Sequence, residues 1–305
     1  INKNIESIIG DPKKAINRLA YPTILSMLLM YANNLIDSMW VSGLGSGPLA
    51  ALGFMSPLYL VIIGFGVGIG AGANSLISRL IGAKQYEESN NAAIHSIVLA
   101  SIVSILILLI GVFFLRDLLI LFGASEVIDY AMDYGMIIFL TSYIILFPAV
   151  VSSLFRAEGD ISRAAVPLVV NAVLNIVMDP IFIYYFNWGV KGAAIATVIA
   201  RFVECSIIVT WTHKHTDKNP YIKGVYKSLY VPKHLTTQIL LKGTPLMLNE
   251  SLWSSGMTML MQCYSVRGLS VVAGLNIAST ISNVFNVVFI ALGSSVSIIV
   301  GQLLG

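Results

Sequence analysis

Four carboxylates stand inside apolar stretches of this chain: Asp37, Asp179, Glu204 and Glu250. An ionised group at the centre of a bilayer costs about 2.5–3.5 kcal/mol on insertion scales, so each is a functional candidate. Asp179 ends a row of polar residues, Asn171, Asn175 and Asp179, spaced by four and therefore on one helical face. Asp37 lies six residues before Gly43, Asp179 eight before Asn187, and Thr197 eight after Gly189. At 1.5 Å per residue, all three sit roughly 9–12 Å below the same membrane surface. Two carboxylates, an amide row and a hydroxyl at one depth offer hard oxygens, which suit a proton or Na⁺ and not a soft metal. The bland alternative is hydrogen bonding between packed helices, and it weighs most for Asn171. Pro180 follows Asp179 and removes a backbone donor, so the helix is expected to distort there. Glu204 follows Arg201 by three residues and reads as half of an ion pair. Glu250, next to Asn249, has no evident basic partner and is a candidate second protonation or substrate site.

The stretches that carry these residues are membrane spans. Mean hydropathy is +0.84, the apolar fraction 57% and the charged fraction 11%. A soluble domain carries about 25% charged residues, so a soluble enzyme is excluded, and so is a disordered chain. The net charge of +3 is too small for a nucleic-acid binder. Eight apolar segments can be placed, at Leu19–Ser42, Leu49–Leu76, Ala92–Leu115, Met132–Leu154, Ala164–Phe186, Ala193–Trp211, Thr244–Ser265 and Val271–Leu303. The fold class is all-α and polytopic. Cys205 and Cys263 both fall inside apolar runs and form neither a disulfide framework nor a metal set. Gly64, Gly68 and Gly72, at spacing four, read as a helix-packing stripe; no Gly-Lys-Ser/Thr follows to make a phosphate loop. His95 is expected at the inner membrane interface. No catalytic motif is recognisable, so no enzyme activity and no cofactor are expected. Because the chain starts at Ile1 and stops straight after an apolar run, it reads as a piece of a longer protein.

With the N-terminus placed inside, fourteen Lys and Arg residues fall in inner connections and three in outer ones, with Arg201 within a span. That bias puts the N-terminus in the cytoplasm. Shifting the sequence by 223 residues lays the first two spans on the seventh and eighth without a gap, giving 12 identities in 61 positions. Pro22 meets Pro245, and Gly45, Gly70 and Gly82 meet Gly268, Gly293 and Gly305. Six spans followed by a repeat of the first two imply a two-lobed protein of about twelve helices, with a transport path between the lobes. Residues 1–211 then form the first lobe, 212–243 a cytoplasmic linker, and 244–305 the first two helices of the second lobe.

These residues bring the chain to a family it resembles, the multidrug and toxic compound extrusion (MATE) transporters. The resemblance runs from about Ala15 to Gly305. Its signals are NNLIDSMWVSGLGSGPLAALG, ISRLIGAK, FRAEGD, NAVLNIVMDPIFIYYFNWGVKGAAIATVIAR and PLMLNESLW. It implies a fold of twelve helices in two lobes and export of hydrophobic, mostly cationic compounds in exchange for Na⁺ or H⁺. It also implies a cation site at Asp37, Asn175, Asp179 and Thr197, a further acidic position at Glu250, and a bending proline at Pro22. A monomer in the plasma membrane of a prokaryote is expected, with small organic substrates and lipid as its partners. The alternative within the superfamily is a flippase of lipids or lipid-linked oligosaccharides. Its anionic cargo would favour intramembrane bases, and Arg201 alone stands there, beside Glu204. An intramembrane aspartyl protease lacks its Gly-x-Gly-Asp signature here, and the repeat disfavours a passive channel.

Overall fold

A long apolar segment in lipid can satisfy its backbone only within itself, as helix. The computed structural model describes residues 12–121, 124–215, 233–265 and 269–304, and their regular structure is helical throughout. In chain order, α1 spans Pro12–Ser42, α2 Ser46–Gly82, α3 Tyr86–Leu121, α4 Ile128–Leu140 and α5 Ser142–Ala157. They are followed by α6 at Ile161–Pro180, α7 at Gly189–Lys214, α8 at Lys233–Ser265 and α9 at Leu269–Leu304. Among the described residues, six helices are long and apolar enough to cross a membrane, and α4 with α5 make a seventh. The expected seventh span, Thr244–Ser265, lies on α8, and most of that span's side chains fall outside the described residues. Large apolar side chains such as Phe113, Phe114, Phe285 and Phe289 point outward, as lipid-facing positions do.

Several boundaries differ from the sequence reading, each for a local reason. The fourth span is not one straight helix but bends by 52° at Thr141. There the Thr141 hydroxyl donates to the Ile137 carbonyl at 2.7 Å, and Pro148 can give no backbone donor to the turn below it. The third span extends six residues further at each end than Ala92–Leu115. His95 lies within this helix and is buried, its ring nitrogen 2.5 Å from the Asn91 carbonyl. Within the stretch 212–243, residues 212–214 end α7 and residues 233–243 are helical. Helix α8 already begins at Lys233, because Ile239 is buried in the core cluster of Ala73, Leu76 and Ile77. Residues 216–232 lie outside the described set. The distortion expected at Pro180 is present: α6 gives way to a π-helical turn, Ile181–Tyr185, closed by a bond from the Phe186 amide to the Ile181 carbonyl at 2.9 Å.

Helix α2 is central and packs against α3, α5, α8 and α9, while α1 packs on α6 and α9. The contacts with α8 and α9 obey the 223-residue offset. Under it α1 corresponds to α8 and α2 to α9, so the pairs α1–α9 and α2–α8 exchange, and both are extensive. Ser78 and Gly301 are equivalent positions, and they meet: a Cβ on Gly301 would lie 3.2 Å from the Ser78 side chain. This close approach is made near the helix ends that carry Arg79, Lys84 and Arg156, here termed the basic end. There a Cβ on Gly243 would sit 2.5 Å from the Gly68 carbonyl, and one on Gly72 would collide with the Ile239 carbonyl. Ala15 and Leu19 of α1 pack with Ile298 and Ile299 of α9, and Gln302 Nε2 donates to the Ala157 carbonyl at 3.0 Å. With lipid as apolar as leucine, such a seam is held by close backbone approach and hydrogen bonds rather than by the hydrophobic effect.

Candidate functional site

Helix α1 turns one face, carrying Asn33 and Asp37, toward the polar row of α6. The two rows join in a directional chain. Asn33 Nδ2 donates to Asp37 Oδ2 at 3.1 Å and to Asn175 Oδ1 at 2.9 Å. Asn175 Nδ2 then donates to Asp179 Oδ1 at 3.1 Å. Asn175 and Asp179 are 3% and 1% exposed. The carboxyls of Asp37 and Asp179 lie within hydrogen-bonding reach of each other. Two carboxylates in contact cannot both stay charged in a medium of low polarity unless a cation lies between them or one holds a proton. Either occupant fits the site, because one oxygen of Asp37 and the side-chain oxygen of Asn33 are buried with no hydrogen-bond partner.

Three of the four residues singled out in the sequence therefore meet directly: Asp37, Asn175 and Asp179. Thr197 is reached through Tyr134 of α4, which lies within hydrogen-bonding reach of it and feels the charge of both aspartates. The Thr197 hydroxyl itself donates to the Ala193 carbonyl at 3.0 Å. Asn33 and Tyr134 were missed in the sequence. Asn33 carried a usable signal, since it precedes Asp37 by four residues on the same face. Tyr134 carried none, because only the bend at Thr141 decides where α4 points. Asn171 is buried on the same α6 face, one turn beyond the bonded chain.

Arg201 and Glu204 pair as expected, at 2.9 Å, and the guanidinium also reaches the Tyr59 hydroxyl at 3.5 Å. The charge of Arg201 also acts on Asp37. Three carboxyls around one guanidinium still leave the region acidic. The side of the cluster away from the basic end is capped by Trp40 and Tyr184, whose rings meet edge to face at 6.1 Å. The Tyr184 hydroxyl donates to the Trp40 carbonyl, a contact for which Gly43 leaves the space. Pro22 lies inside α1, which continues through it as helix. Glu250 is on α8, but its side chain lies outside the described residues.

The chain is similar to known proteins. The MatE family matches residues 22–181, just over half of the chain. "Probable multidrug resistance protein YoeA" of Bacillus subtilis (strain 168) is 26% identical over 290 residues, covering 93% of this chain and 63% of that protein. A "FAD transporter" of Shewanella oneidensis is 26% identical over 194 residues, 62% of this chain and 43% of that one. A solved structure, the outward-facing conformation of a multidrug resistance MATE family transporter of the MOP superfamily, superposes with a TM-score of 0.93 at 32% identity. It is matched over 99% of this chain and 67% of its own length. The chain thus spans about two-thirds of the length of relatives it matches almost throughout. With its helices, its repeat-related contacts and its match to the family sequence in agreement, the chain is a multi-pass membrane protein and belongs to the MatE family of transporters.

Proposed function

We propose that this chain is the larger part of a secondary exporter that moves hydrophobic organic cations outward in exchange for Na⁺ or H⁺. The observation that carries the reading is the bonded cluster Asp37–Asn33–Asn175–Asp179 inside the membrane. Buried carboxyls in contact form a site whose charge changes by one when an ion enters. Entry of the ion from outside neutralises the pair, and the helices that carry it, α1 and α6, repack around the new charge state. Tyr134 and Thr197 close the site on the α4 and α7 side. A cation moving inward gains about 2.3 kcal/mol per charge per 100 mV of membrane potential. In this reading the basic end faces the cytoplasm of a prokaryotic cell, the protein works as a monomer, and residues 1–211 form one lobe. Positions 256 and 260, the repeat equivalents of Asn33 and Asp37, are Gly256 and Leu260, so the coupling chemistry belongs to the first lobe. Pro22 serves as the flexible point of α1, and Glu250 contributes to a second proton or substrate site.

The test uses inverted membrane vesicles carrying the protein at its full natural length. Accumulation of ethidium is followed under an imposed Na⁺ or H⁺ gradient, in wild type and Asp179→Asn. Gradient-driven accumulation in wild type that the substitution abolishes supports the reading, and the effective gradient names the ion. Coupled transport that survives Asp179→Asn moves coupling away from this cluster. If ethidium is ignored while an anion such as FAD, or a lipid-linked sugar, is moved, the cationic assignment fails in favour of the transport of anions.

A further inference from the structure

The orientation of the Asn33 side chain is fixed by its neighbours. Both groups facing its amide nitrogen, Asp37 Oδ2 and Asn175 Oδ1, are acceptors, and the latter is held in place because Asn175 spends its own nitrogen on Asp179. Turning the Asn33 amide over would set its oxygen against two other oxygens. Its Oδ1 must therefore point away from both, and there it is buried without a donor, as is Asp37 Oδ1 one helical turn along. A proton can satisfy the carboxylate oxygen of such a pair. The amide oxygen, not basic enough to take a proton itself near neutral pH, can only accept a hydrogen bond from that carboxyl O–H, which then has one fixed direction. A hard cation accepts both kinds of oxygen.

We propose that Asn33 is a ligand of the coupling ion and that its amide oxygen makes the site selective for Na⁺ over H⁺. This rests on the reading of the cluster as the ion-coupling site and adds to it a residue and a choice of ion. In the role proposed, Asn33 does two separable things. Its nitrogen straps α1 to α6 through Asn175, and its oxygen binds the ion. The alternative occupant of the orphaned oxygen is a buried water, which would leave Na⁺ affinity indifferent to it.

The experiment is a calorimetric titration of the purified full-length protein with NaCl, at fixed pH and with choline chloride holding the ionic strength. Wild type is expected to bind Na⁺ and Asp179→Asn to lose it. Asn33→Leu, of similar size but without oxygen, is expected to weaken Na⁺ binding on the order of tenfold or more. Asn33→Asp keeps the oxygen and loses the donors, and is expected to bind Na⁺ within a few-fold of wild type. If Asn33→Leu does not fold, Asn33→Ala carries the same expectation. Wild-type affinity in the Leu or Ala variant would overturn the proposal in favour of water. An Asp variant as weak as the Leu variant would reduce Asn33 to a strut. No Na⁺ binding by wild type, with ethidium transport driven by a proton gradient, would sink the proposal and leave the exporter standing. Loss of both would sink the exporter reading itself.

Discussion

Glu158 illustrates how one side chain can report on the closed seam. It follows Ala157, whose carbonyl accepts the Gln302 bond, and it lies outside the membrane spans at the basic end. Burial pushes its carboxyl up from 4.5 to about 8, against the opposing pull of the Arg163 guanidinium and with a smaller push from Asp160. A raised acid pKa means that the folded state holds the proton longer than the unfolded one. Its contribution to stability is then full below about pH 4.5, falls as pH rises toward 8, and stays low above that. Glu158→Gln removes the penalty, so the variant should melt higher than wild type at pH 8.5, with the gap closing at pH 5. Thermal melts of both proteins at the two pH values check this; a gap that is larger at pH 5 would contradict it. The neighbouring ion pair between Arg163 Nε and Asp160 Oδ2, at 3.0 Å, is partly exposed, so its own worth is small.

In helix α1 the backbone bonding is interrupted at Pro22. Pro22 offers no amide, so the carbonyl one turn earlier, at Arg18, loses its ladder donor, while the Thr23 hydroxyl bonds the Leu19 carbonyl at 2.8 Å. The same helix carries Asn33 and Asp37 three turns on, packs on α6 through them, and packs on α9 through Ala15 and Leu19. A helix pinned at both ends and loosened between them can change its contacts at one end without melting the other. Pro22→Ala should restore the missing bond and raise the melting temperature slightly. It should also slow gradient-driven ethidium transport severalfold, with protein amount unchanged in the vesicles. Unchanged transport in a folded variant would remove Pro22 from the mechanism. The π-helical turn after α6 has a similar logic. It places Tyr184 over α1, and Tyr184→Phe is expected to cost about 1 kcal/mol of stability in a melting experiment, the worth of one hydrogen bond.

Across the molecule, the described contacts between the two copies of the repeat include close approaches of glycine to backbone. Gly68, Gly72 and Gly243 let α2 and α8 touch, and Gly82 does the same for α2 against Gln302 of α9. A side chain at Gly72 would meet the Ile239 carbonyl, which cannot swing aside as a flexible side-chain end would. Gly72→Val should therefore open this seam at a cost of about 1–3 kcal/mol, the usual penalty of overpacking. Spin labels placed on Arg79 and Lys233 would show it as a longer and broader distance distribution than in wild type. An unchanged distribution would mean that the closure does not depend on this contact. Gly64, in the same sequence stripe, meets nothing when a Cβ is added, so Gly64→Ala is the matched control.

The amino-acid sequence on its own determined the class of structure and much of the candidate site. Long apolar runs leave the backbone no choice but helix, and a carboxylate inside such a run is too costly to be accidental. Spacing of four along α6 put Asn171, Asn175 and Asp179 on one face before any contact was known, and Pro180 announced the distortion beside them. The tertiary structure alone decided which groups touch. It bent the fourth span at Thr141 and so brought Tyr134 to Thr197. It made residues 233–243 the start of α8, with Ile239 in a buried place against α2. It also joined the two polar rows through Asn33, a residue whose own span contains another asparagine beside it and whose type alone distinguishes neither. Periodicity is a property of one helix and is written in its residues. The angle at which two helices meet depends on which small side chains let backbones approach, and that depends on both partners at once.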